Sequence, residues 1–80
     1  MIDNKKEVMR RLRIVKGHLQ AIVFMVKRDR YCIDICQQIK AVKGALKKIN
    51  SMILEEYLKN GGNFFRVLKI INYKKSKYVY

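Results

Sequence analysis

The sequence predicts an all-α fold, and three observations predict it. Apolar residues recur every three or four positions along two long segments, no useful length of chain alternates apolar and polar as a strand would, and proline is absent. From Val8 the apolar positions run Val8, Leu12, Val15, Leu19, Ile22 and Val26, steps of four and three that mark a helix with a coiled-coil-like seam. Helix 1 is expected over about residues 4–28, opened by a capping box of Asn4 and Glu7, with Asp3 an equal candidate for the cap. "KRDRY" interrupts the pattern, and Asp29 within it is the expected cap of the next helix. A second seam of Cys32, Ile35, Ile39, Val42, Leu46, Ile49 and Ile53 makes about residues 30–60 one long helix. "NGG" at residues 60–62 ends it, because Asn and Gly tolerate the left-handed backbone that closes helices. Phe64, Leu68 and Ile71 predict a short third helix over about 63–73, and residues 74–80 read as a basic tail.

Eighty residues make a single domain, and one of that size buries too little of its surface to be comfortably stable alone. Two long helices joined by a tight turn form an antiparallel hairpin whose apolar stripes exceed what each can cover on the other. Hairpins are therefore expected to pair into a four-helix core. Gly17 with Ala21, and Ala41 with Ala45, set small residues one turn apart, where helices either approach closely or simply continue.

Nineteen Lys and Arg against six Asp and Glu give a formal charge of +13, which points to a polyanionic partner, nucleic acid first and an acidic membrane surface second. The N-terminal segment lacks the apolar core of a signal peptide. The longest apolar run, residues 21–26, is too short to span a bilayer, so a cytoplasmic protein with reduced thiols and no membrane partner is expected. A membrane-surface role is disfavoured because apolar seams on two long helices suit helix pairing better than lipid. One histidine, no paired carboxylates and no phosphate loop offer no catalytic constellation, so no enzyme is expected.

The segment "RLRIVKGHLQAIVFMVKRDRYCIDICQQIKAVKGALKKI" resembles the copper-sensing repressor (CsoR) family of bacterial transcriptional regulators. The likeness rests on R-L-R, a Gly-His-Leu step, D-R-Y-C-I-D, Q-I-x-A-V and a small-small-Leu run, and it extends from about Arg11 to Leu58. It implies a three-helix protomer, a four-helix dimer and a disc-like tetramer. It also implies binding to double-stranded operator DNA and release when an inducer reaches the dimer interface. Copper sensors of the family use a cysteine at the place of Cys32, with a histidine and a second cysteine from the other subunit's helix 2. Those two places hold Tyr57 and Gly61 here, so the patterns for copper, nickel or cobalt, formaldehyde and persulfide are all incomplete.

Cys32 and Cys36, the only cysteines, lie one helical turn apart. Metal ligands, redox thiols and packing residues are all open readings for them. Cys32 falls in the first turn of helix 2, where the helix dipole, Arg28 and Arg30 favour negative charge and Asp29 and Asp34 oppose it. Family position makes Cys32 the metal- or thiol-sensing candidate, and Cys36 is either packing or a replacement second thiol for a soft ion such as Cu(I). His18 is read as a surface or supporting residue, and Met9, Met25 and Met52 as core. The resemblance puts Arg11 and Lys48 at DNA-binding positions. Arg10, Arg13, Lys16, Lys40, Lys43 and Lys47 are expected to extend them into a positive surface that meets phosphates. The expected function is an operator-binding repressor modulated at Cys32; the rival is an architectural DNA-binding protein of the same fold without sensing.

Overall fold

A computed structural model describes residues 4–77, with side chains through residue 70. It contains α1 (Lys5–Lys27), α2 (Cys32–Lys59) and α3 (Phe64–Lys77), and the described residues are helical apart from short connections. The fold is all-α, with α1 and α2 packed as an antiparallel hairpin. Asp3, the alternative cap, and residues 78–80 of the expected tail lie outside the described residues. The helix of α3 continues through Lys77, into the stretch read as tail.

Both long helices end in the same backbone motif. At the end of α1 the Arg30 amide donates to the Met25 carbonyl at 3.0 Å and the Asp29 amide to Val26 at 3.1 Å, with Asp29 left-handed at φ 52°. This double closure is a Schellman motif, which satisfies carbonyls the helix would otherwise leave open. The expectation that Asp29 caps α2 is thus corrected: Asp29 closes α1. The residue preceding α2 is Tyr31, which has extended backbone angles and makes no side-chain cap bond. At the end of α2 the Gly62 amide donates to Tyr57 at 2.7 Å and the Gly61 amide to Leu58 at 3.2 Å, with Gly61 at φ 84°. A Cβ on Gly62 would overlap the Tyr57 carbonyl and ring, so this turn requires glycine twice, for conformation and for space. Asn63 then opens α3, its side-chain oxygen accepting from the Phe65 amide at 2.8 Å.

The capping box at the start of α1 does not form. Asn4 precedes the helix without a side-chain cap bond, and Glu7 turns to Arg10 and Arg11 instead. Two charge-assisted partners along the helix outcompete one return bond to a backbone amide.

Each predicted seam splits into two rows of seven-residue period. Val8, Val15 and Ile22 of α1 are buried against Val42 and Ile49 of α2, with Ile35, Met52 and Ile53 packed beside them. The alternate positions, Leu12, Leu19, Ile39 and Leu46, are about four-tenths exposed. Among the described side chains of α3, Val67 is buried and Phe64 is exposed. Interhelix packing is concentrated in α1 on α2. Two helices side by side make one layer, and a stable domain ordinarily needs two. Accordingly the radius of gyration is 15.7 Å, against about 12 Å for a compact chain of this length.

Candidate functional site

Cys32 is the first residue of α2, so its amide belongs to the unpaired first turn and faces no helical carbonyl. Its thiol is free and exposed, as is that of Cys36 one turn on. With seven-residue spacing Cys32 continues the exposed apolar row of Ile39 and Leu46. Cys36 lies beside that row, seven residues before Lys43 and four before Lys40. The thiols thus sit where an unpartnered apolar stripe meets a cationic one.

The opposite face of the hairpin is built differently. A groove between the helices is lined by Arg10, Arg11, Ile14 and Val15 of α1 and by Ala45 and Ile49 of α2. At about 100° of turn per residue, Lys48 projects on the Ala45 side of α2, outside the residues that line the groove. His18 joins the helices on this face: its Nε2–H donates to the Gln38 side-chain oxygen at 2.7 Å. Lys40, Lys43 and Lys47 point to the outer edge and the cysteine side, Lys16 leans the same way from α1, and Arg13 takes the outer edge of α1. Of the eight candidate DNA contacts, Arg10 and Arg11 line this groove together, and helical geometry spreads the other six around the two helices.

Glu7 holds the two arginines. Its carboxylate accepts from Arg10 Nε at 3.0 Å and Nη2 at 2.7 Å, and from Arg11 Nε at 2.8 Å. These two hydrogen-bonded guanidinium groups pull its pKa from 4.5 to about 2, and the Glu7 hydrogen bond raises that of Arg10. Both arginines are tethered at neutral pH. The signal was present in the sequence as Glu followed by Arg at three and four residues, a spacing that competes with the capping box.

Glu56 is the other residue missed. It is 8% exposed, and its Oε2 has no hydrogen-bond partner among the described residues. It continues the row of Ile35, Val42 and Ile49, the last two buried, at the same seven-residue step, which is how the sequence could have located it.

The positions that resemblance assigns to partner ligands lie far from the thiols. Tyr57 is 25 residues beyond Cys32 on α2, about 37 Å along the axis at 1.5 Å per residue. Its ring packs against Gly62 in the α2–α3 turn. Gly61 stands outside the helix, which ends at Lys59. A phenol folded onto its own turn and a glycine without a side chain do not fit the copper ligand set described above. Among the described residues, no three His, Cys, Asp or Glu side chains come together as a metal site, and no helix is long and apolar enough to cross a membrane.

The chain is 41% identical over 54 residues to the copper-sensing transcriptional repressor CsoR of Mycobacterium tuberculosis H37Rv, covering 68% of the chain and 45% of the relative. It is 40% identical over 53 residues to CsoR of Bacillus subtilis 168, covering 66% and 52%. With the copper-sensing repressor RicR of M. tuberculosis H37Rv it shares 39% identity over 56 residues, 70% and 58%. The chain spans about half the length of the relatives it matches. All three are described as copper-sensing transcriptional repressors. A family model described as metal-sensitive transcriptional repressor matches residues 4–61, well over half of the chain, and the protein belongs to that family.

Proposed function

We propose that the protein is a DNA-binding transcriptional repressor whose operator affinity responds to soft-metal or thiol chemistry at Cys32. The observation that carries this reading is the placement of a free, exposed Cys32 on the row of Ile39 and Leu46, the stripe a second hairpin would cover. An inducer there acts on the contact between protomers, and it shifts DNA affinity only if it binds the DNA-free arrangement more tightly. Affinity for DNA comes from phosphate contacts made by Arg11, Lys48 and the neighbouring cations, within a protein of net charge +13. The named relatives are copper sensors, and soft thiolates select Cu(I), so Cu(I) is the first inducer to try.

Homo-oligomerisation is part of the proposal. The chain exposes 7057 Å², about 2,000 Å² more than a folded monomer of 9.6 kDa ordinarily does. That excess is of the order an obligate dimer buries. A dimer, and then a tetramer, would give the cations of separate protomers the chance to form one surface.

The test is fluorescence anisotropy of the reduced protein on DNA from upstream of its own gene, before and after stoichiometric Cu(I). Release is expected, with Cys32→Ser binding DNA normally but failing to release. A Cys32→Ser protein that still responds overturns the role of Cys32. A second reading, an architectural DNA-binding protein without sensing, is favoured by Tyr57 and Gly61 at the ligand positions. It is the reading that unchanged binding under copper and thiol oxidants would select.

A further inference from the structure

We infer that Cys32 and Cys36 of a single α2 form a two-thiol site, complete within one protomer, for one soft monovalent d10 cation of the Cu(I) and Ag(I) class. The inference rests on the reading that Cys32 is the sensing position. It replaces the missing partners across the subunit boundary with a donor on the same helix.

Four observations converge on the pair. Both thiols are free and exposed, and residues four apart on a helix bring their Cβ atoms to about 5–6 Å. A disulfide needs about 3.5–4.5 Å between Cβ atoms, so an ion held between the sulfurs demands less distortion than a direct bond. No third His, Cys, Asp or Glu joins the two among the described residues. His18 faces the other side of the hairpin with Nε2 engaged by Gln38. Two sulfurs fall short of the four ligands structural zinc requires, whereas monovalent d10 ions accept two thiolates. Finally, the site has its own counter-charge. Binding converts two thiols and one M⁺ into an M(SR)₂⁻ group and releases two H⁺. The resulting single negative charge lies beside Lys40 and Lys43, four and seven residues after Cys36, and at a helix N-terminus that favours anions.

The experiment titrates reduced full-length protein with Ag(I), which needs no protection from oxidation. It follows the ultraviolet thiolate-to-metal band, proton release, and the number of thiols left reactive to a disulfide reagent. One ion per chain, two protons per ion and both thiols protected are expected, with tight binding lost in Cys32→Ser and equally in Cys36→Ser. Because both side chains are exposed, circular dichroism should show unchanged helix content in either variant. Mixing the two variants separates a site within one chain from one between chains. A mixture as weak as its components supports the inference, and restored tight binding overturns it, as does wild-type affinity in Cys36→Ser. The DNA measurement fails independently: tight binding of the ion without release from DNA overturns the sensor reading and leaves the two-thiol site standing. Release that depends on Cys32 but not Cys36 does the reverse.

Discussion

Glu7 shows how one side chain sets the strength of a neighbouring surface. While its carboxylate holds Arg10 and Arg11, those guanidinium groups are partly spent before any phosphate arrives. Glu7→Gln should therefore tighten DNA binding severalfold and steepen the dependence of log affinity on log salt by about 0.9 for each further phosphate neutralised. Arg11→Ala should weaken binding far more than Lys59→Ala; equal losses would remove Arg11 from the interface. The sign of the pH effect follows from the depressed pKa. The tether is fully formed above about 4.5 and is lost only as pH falls through about 2, so DNA affinity should show no step from Glu7 between about pH 5 and 8, a range a salt-matched anisotropy series covers. These cations were legible in the sequence as types and positions. That Arg10 and Arg11 would share a groove with α2 was not, because it depends on how the hairpin's helices are rotated against each other.

At the scale of elements, helix existence was readable and helix endings were only partly so. Seams of three and four located α1 and α2, and "NGG" located the stop of α2, since few residues besides glycine adopt the conformation found at Gly61. Asp29 misled because Asp serves both as an N-cap and as a left-handed closing residue, and only the bonds to Met25 and Val26 decide between them. Gly61→Ala should lower stability by about 1 kcal/mol in urea denaturation, with no change in the thiol titration. For the same reason, installing Cys at position 61 should not restore the family's ligand set. The position lies past the end of the helix in a backbone conformation a Cβ disfavours, so Gly61→Cys should bind Ag(I) no more tightly than wild type. Both thiols lie one turn apart on α2, free and exposed, while the distance from Cys32 to Tyr57 makes clear why one protomer cannot supply the usual constellation.

For the whole molecule, the missing second layer governs behaviour. The rows of Leu12 and Leu19 on α1 and Ile39 and Leu46 on α2 remain open in one protomer, and under the proposed pairing another copy closes them. Leu46→Glu should then shift sedimentation from oligomer to monomer and lower the melting temperature, because a charge in that stripe cannot be desolvated without large cost. A mutant that sediments as wild type would place the partner elsewhere. Pairing of this kind has a consequence for supply. When burial is completed only by another copy, the folded fraction follows total concentration through mass action, so dilution acts on the chain as a denaturant. Scarce copies would spend longer open to proteolysis than abundant ones, which gives the protein a threshold amount below which it neither persists nor occupies DNA, whatever the state of its thiols.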